Sequence, residues 1–243
     1  MNSGKWSFRP KWVTSLLALG GLLILVALGN WQLDRAHQKQ VLFDQYQERG
    51  KLPAINLNSW ITRETNAVVW RRARVRGRYH KRLQILLDNQ MHKGRFGYDV
   101  FTPMKISGFG EWVLVNRGWV PASEYRSVLP VIKTPADEVT VTGVIKHPLF
   151  SGIMLSENYV ERLPGGVLRT QSINLPRLEK ETGMTFLPFI VRLDSASPTG
   201  FVRQWPPAGS GKEKNLGYAF QWFMMAAVLV FIYLYLNIKR TKS

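Results

Sequence analysis

Residues 12–28 read WVTSLLALGGLLILVAL, a run without a single charge. Continued through Gly29 and Asn30 to Trp31 it reaches 20 residues, enough at 1.5 Å per residue to cross the roughly 30 Å hydrocarbon core of a bilayer. Trp12 and Trp31 then fall at the two interfaces, where amphipathic rings are favoured. Near the other end, residues 217–238 read GYAFQWFMMAAVLVFIYLYLNI, 22 residues without a charge, followed at once by Lys239, Arg240 and Lys242. A cleaved signal peptide competes for the first run, with Ala27-Leu28-Gly29 as a small-x-small site, but the apolar stretch exceeds the ~7–15 residues of such a segment. A buried core helix competes for the second, and its length and abrupt basic flank argue against that. The expected fold is a membrane protein in which two transmembrane α-helices flank a mainly antiparallel β (α+β) extracytoplasmic domain.

Lys5, Arg9 and Lys11 precede the first span with no acidic residue, and the basic tail after the second has none either. The positive-inside rule therefore places both ends in the cytoplasm, and long loops translocate largely regardless of charge. No Arg- and Ser-rich transit peptide precedes the first span, so the expected location is a bacterial inner membrane with the central domain periplasmic. The expected division is residues 1–11 as cytoplasmic N-terminus, 12–31 as first span, 32–50 as helical stalk, 51–194 as the β-rich domain, 195–216 as a Pro/Gly linker, 217–238 as second span and 239–243 as cytoplasmic tail.

The stalk follows from residues 31–50, WQLDRAHQKQVLFDQYQERG, which contain no Pro, are rich in helix formers and end at Gly50. Beyond it, residues 68–79 alternate. Val69, Ala73, Val75, Gly77 and Tyr79 share one face, with Arg71 the exception, and Arg72, Arg74, Arg76 and Arg78 line the other. Further strands are expected at residues 84–87, 98–102, 111–116, 139–146 and 188–193. One helix is expected over residues 175–182, between Asn174 as N-cap and Gly183 as its stop. Short strands with a lone helix point to a barrel or a sandwich.

Cysteine is absent, which excludes disulfides, zinc-thiolate sites, iron–sulfur clusters and a cysteine nucleophile. His37, His80, His92 and His147 are scattered without metal-ligand spacing, and no G-x-S-x-G, H-E-x-x-H or P-loop occurs. The chain is expected to be no enzyme and to bind no metal; an enzyme would require distant titratable groups to converge in the β domain. The 33 Lys+Arg against 16 Asp+Glu leave a net charge of +17, which favours an anionic neighbour. With two spans that neighbour is lipid or a membrane partner, and no nucleic-acid motif is present. The arginine row is either a solvated strand face resisting aggregation or a docking surface for lipid phosphates, haem propionates or an acidic partner. A membrane-anchored basic module serving another envelope complex or anionic lipid is thus one functional reading.

Six strings in chain order support another. Residues 28–35 read LGNWQLDR, 75–79 VRGRY, 97–103 GYDVFTP, 113–121 VLVNRGWVP, 141–144 VTGV and 216–223 LGYAFQWF. Together they resemble the surfeit locus protein 1 family of cytochrome c oxidase assembly factors, through its L-G-x-W-Q-x-x-R, V-x-G-x-Y, G-Y-x-V-x-T-P, V-L-V-N-R-G-W-V-P and L-G-Y-A-x-x-W-F patterns. On this resemblance Gly29, Gln32, Gly77, Gly97, Tyr98, Pro103, Asn116, Arg117, Gly118, Trp119, Pro121, Gly143 and Gly217 are motif residues of structural weight. The resemblance implies a non-catalytic role: helping haem a reach oxidase subunit I, or stabilising that subunit while its haem and copper centre are built. The implied partners are subunit I, the haem a synthesis and insertion machinery and the lipid bilayer. It also implies a haem a site at the outer end of the spans, here Asn215, Tyr218, Trp222, Trp31 and Arg35. The family's ligand histidine directly precedes L-G-Y-A, and Asn215 stands there instead; an amide lacks the imidazole nitrogen that binds iron. Tyr218 offers a phenolate or a headgroup anchor, and His37 lies about 9 Å of helical rise beyond Trp31. Haem a is therefore expected to bind weakly, transiently or not at all.

Overall fold

The structure, a computed structural model, describes residues 5–59, 64–148 and 160–241. The ends of the expected tails, residues 1–4 and 242–243, and residues 60–63 and 149–159 of the expected β domain lie outside them. In chain order the elements are β1 (Lys5–Phe8), α1 (Trp12–Lys51), β2 (Ile55–Asn56), α2 (Thr65–Val68), β3 (Arg72–Tyr79) and β4 (Gln84–His92). There follow β5 (Arg95–Ile106), β6 (Trp112–Pro121), β7 (Val139–Lys146), β8 (Val160–Leu163) and β9 (Val167–Thr170). The chain closes with α3 (Leu175–Thr182), β10 (Phe186–Leu193), α4 (Lys212–Asn237) and β11 (Ile238–Thr241). They fall into two compact units, Met1–Gln45 with Pro206–Ser243, and Tyr46–Trp205.

The first unit is a pair of long helices. α1 runs 40 residues without a break, about 60 Å at 1.5 Å per residue and twice the depth of a bilayer core. Its first half is apolar; its second half is polar and lacks Pro, so stalk and span form one helix. Arg49 and Lys51 occupy the last turn, where cations suit the carbonyl end. α4 begins at Lys212 rather than Gly217, because Gly211 turns the chain at φ 83° and Lys212-Glu213-Lys214-Asn215 extend the helix backwards. The linker is correspondingly shorter than the sequence implied. Both helices are long and apolar enough to cross a membrane, and only 6% and 11% of their most apolar windows are buried. That exposure fits a two-pass membrane protein and does not fit core helices. Small residues let the pair approach: a Cβ on Gly29 would lie 2.6 Å from the Phe223 ring, Ala219 and Ala226 are buried, and the Ser15 and Tyr233 hydroxyls are hydrogen-bonded at 2.6 Å. At the ends of the chain β1 and β11 pair antiparallel, a ladder that the sequence reading did not anticipate.

The second unit is a closed barrel with added strands. Its sheet has the order β2-β3-β7-β10-β6-β5-β4-β9-β8, and a further β3–β5 pairing closes β3, β7, β10, β6 and β5 into a ring. β10 and β6 run parallel; the other neighbours in the ring run antiparallel. Inside lie Val75, Met104, Val113, Val141, Phe189 and Val191, all fully or almost fully buried. β3 alternates along its whole length, with Ala73, Val75, Gly77 and Tyr79 buried and Arg72, Arg74, Arg76 and Arg78 exposed. Arg72 pairs with Asp194 at 2.7 Å and Arg76 with Glu138 at 2.6 Å, so the arginine row is a partly neutralised solvated face. The strand starts at Arg72, not Val68, because Val68 ends α2 and Trp70 takes φ 70°. β6 and β10 are buried on both faces: their second faces, through Leu114, Phe186 and Ile190, pack on Leu175 and Leu178 of α3. α3 occupies the expected residues, with Asn174 accepting from the Arg177 N–H and Gly183 at φ 69°.

Candidate functional site

Along α1 the buried residues are Gly29, Gln32 and Ala36, and the same stripe continues to Lys39 at helical spacing. Gln32, Lys39 and Asn215 meet where the apolar part of the helix pair gives way to polar sequence. The Lys39 ammonium donates to Asn215 Oδ1 at 2.7 Å and to the Gly211 carbonyl at 3.2 Å. Asn215 Nδ2 donates to Gln32 Oε1 at 2.6 Å. Lysine has only donors, which fixes the Asn215 oxygen toward it and leaves the amide nitrogen for Gln32. One turn further out, Lys212 donates to Gln40 Oε1. Both ends of the Asn215 amide are therefore engaged, in a clamp that ties α4 to α1.

The other residues expected around Asn215 do not join it. Trp31 is 55% exposed and Tyr218 41% exposed; the Tyr218 ring faces Lys214 of its own helix. Arg35 donates to Gln38 on α1, and Trp222 is half-buried. His37 is exposed. The clamp's cation, Lys39, was missed by sequence reasoning, although its place three residues after Ala36 on the Gly29–Gln32 stripe was the available signal.

In the second unit the V-N-R-G-W segment of β6 is a packing device. Arg117 is 1% exposed, yet its guanidinium is well supplied. Nε and Nη2 donate to the Thr199 carbonyl at 2.9 and 2.7 Å, and Nη2 donates to the Lys133 carbonyl at 2.7 Å. The Tyr79 and Phe201 rings cover it at 5.0 and 4.8 Å. Asn116 donates to Asp99 at 3.2 Å and accepts from the Gly118 N–H at 2.9 Å. Gly118 takes φ 110°, and a Cβ there would lie 2.6 Å from the Val202 carbonyl. Trp119 exchanges backbone hydrogen bonds with Val202 and donates its indole N–H to Gln90 O at 3.1 Å. The segment thus straps residues 199–203 against the barrel.

The remaining motif residues differ in their surroundings. A Cβ at Gly77, Gly97 or Gly143 would meet a neighbouring carbonyl at 2.2, 2.2 or 2.4 Å, so no larger residue fits there without a shift of the backbone. Tyr98 packs with Leu86, Val100 and Val120. Pro103 O accepts from His80 N–H at 2.8 Å, Pro121 ends β6 exposed, and Gly217 has open space where a Cβ would stand.

A second basic–aromatic cluster was invisible in the sequence. Lys146 lies 4.8 Å from the Trp70 ring centre and Arg192 5.1 Å from that of Trp205, with Tyr46 edge-on to Trp70. A cleft lined by Tyr46, Trp70, Arg72, Asp194 and Ser195 opens beside them. Burial, with Arg192 adding to it, pulls the Lys146 ammonium down to about 8. Burial raises the Asp99 carboxyl against the pull of Asn116 and Arg192, and raises the Tyr79 phenol against Thr199 and Arg117. Among the described residues, no group of three or more His, Cys, Asp or Glu is arranged to hold a metal ion.

Comparison with known proteins decides the family. The SURF1 family profile matches residues 20–227. The chain belongs to the SURF1 family. A SURF1-like protein of Rickettsia bellii is 25% identical over 229 residues, covering 90% of this chain and 89% of that one. An uncharacterized SURF1-like protein of Mycobacterium tuberculosis is 25% identical over 222 residues, covering 88% of this chain and 79% of its own. A SURF1-like protein of Dictyostelium discoideum is 29% identical over 137 residues, 52% of this chain and 48% of that one. The SURF1 match takes in most of both apolar helices and the whole barrel unit.

Proposed function

We propose that this chain is an assembly factor for cytochrome c oxidase, assisting haem a delivery or stabilising subunit I while its cofactors are inserted. The observation that carries the reading is the family match over residues 20–227, since SURF1 is a family of cytochrome c oxidase assembly. In this reading the chain crosses the bacterial inner membrane twice, with cytoplasmic termini and a periplasmic barrel. The acid-free basic flanks, Lys5, Arg9 and Lys11 at one end and Lys239, Arg240 and Lys242 at the other, support that orientation. The chain acts by binding and not by catalysis. As an axial haem ligand Asn215 does not fit: it is an amide, and Lys39 and Gln32 take both its ends. The stabilising role is the one this chain's residues favour.

Deleting the gene and measuring haem a content and activity of the purified oxidase tests the proposal. Both are expected to fall and to return with the wild-type gene; an oxidase unchanged in both rejects it. Crosslinking in native membranes is expected to capture subunit I as the main partner. Capture of a different envelope complex would favour the basic binding module instead.

A further inference from the structure

Between α1 and α4, at the end of the pair that carries the chain termini, lies a cleft of about 500 Å³. Its mouth is lined by Arg9, Lys11 and Thr14 and its walls by Leu17, Leu229 and Ile232, among others. We propose that this cleft binds one anionic phospholipid of the leaflet facing the termini. The inference rests on the two-pass membrane reading and is independent of the role in oxidase assembly.

Three observations favour a lipid. The mouth is cationic: Arg9 and Lys11 are exposed, make no ion pair among the described residues, and residues 1–11 and 239–243 contain no Asp or Glu. α1 also starts here without an acidic residue in its first turn, so the positive end of its dipole adds to the attraction for an anion. The mouth is held in place as well. β1 pairs with β11, the Arg9 N–H donates to Asn237 O at 2.9 Å, and Phe8 meets Tyr233 edge-on. Third, the walls turn apolar within two helical turns: from Trp12 to Ala18 the helix rises about 9 Å, the depth at which a headgroup gives way to acyl chains. A phosphate at Arg9 and Lys11 would place its acyl chain along Leu17, Leu229 and Ile232.

Native mass spectrometry of the full chain in mild detergent tests this with added phosphatidylglycerol or phosphatidylcholine. One phosphatidylglycerol per chain is expected to be retained, about tenfold or more tighter than phosphatidylcholine, as two cations near an anionic headgroup imply. Arg9→Gln/Lys11→Gln should abolish that preference, whereas Arg74→Gln/Arg78→Gln on the barrel should leave it intact. Soluble glycerol phosphate at the same concentration should not compete. Equal retention of the two lipids, an unchanged preference in the first double variant, or competition by glycerol phosphate would each overturn the proposal. None of these outcomes depends on oxidase content.

Discussion

Arg117 is a buried cation with no carboxylate partner among the described residues, and its replacement separates charge from shape. Its guanidinium fork reaches the carbonyls of Thr199 and Lys133 together while its faces meet two rings. In Arg117→Ala both carbonyls lose their donor, at ~1–3 kcal/mol each, and a cavity adds to the loss. A total near 4 kcal/mol is a reasonable centre for such a deletion. In Arg117→Lys the charge stays buried, but a point-like ammonium cannot span both carbonyls and stack on two rings. About half the loss, ~2 kcal/mol, should remain by the same carbonyl accounting. At about 2–4 °C per kcal/mol for a unit of this size, the midpoints should fall by about 8–16 °C for Ala and about 4–8 °C for Lys. The assay is thermal unfolding of the full chain in detergent followed by near-ultraviolet circular dichroism, which reports the aromatic packing. Hydrogen exchange over residues 197–203 should rise in the same order. Lysine melting with the wild type while alanine falls would show that charge alone holds the strap; both variants melting with the wild type would refute its structural role.

Other outcomes follow from the same contacts. The chain has no cysteine, so Gln32→Cys/Asn215→Cys should form an intramolecular disulfide on mild oxidation, seen as a shifted band on a non-reducing gel, while Arg35→Cys/Asn215→Cys should not. Gly29→Leu should lower the yield of that same crosslink, because even a Cβ meets the Phe223 ring at 2.6 Å and overpacking costs ~1–3 kcal/mol. Lys146 titrates near 8 in the folded chain against 10.5 when unperturbed. The unfolded state therefore binds more protons between those values, and the Lys146 contribution makes stability rise with pH across that window. Lys146→Met should raise the melting midpoint at pH 7 and flatten its climb between pH 8 and 10; a variant with the wild-type pH slope would count against the buried ammonium.

What could be read from the chain alone was whatever depends on neighbours in sequence. The spans are contiguous apolar runs, and α3 carries its own N-cap and stop in Asn174 and Gly183. The face of β3 is set by strict alternation, so its arginines could be assigned to solvent before any partner strand was known. β6 and β10 were seen only in part, since strands buried on both faces lose their alternation; the expected segments missed Arg117-Gly118-Trp119-Val120-Pro121 and Phe186-Leu187. β8 and β9 are four residues each, too short for a period to emerge. The five residues named around the family's histidine position yielded one, Asn215, in a contact between helices.

Sequence by itself determined two membrane-length helices, a β-rich body between them and the family those strings belong to. Tertiary structure alone decided that the sheet closes through β3 and β5, that Arg117 lies inside with carbonyls for partners, and that Lys39 meets Asn215 across 176 residues of chain. Periodicity and capping are local properties, written in a few consecutive side chains. Ring closure, burial of a cation among carbonyls and a clamp between helices depend on which distant groups come into reach, and no single stretch of sequence encodes that.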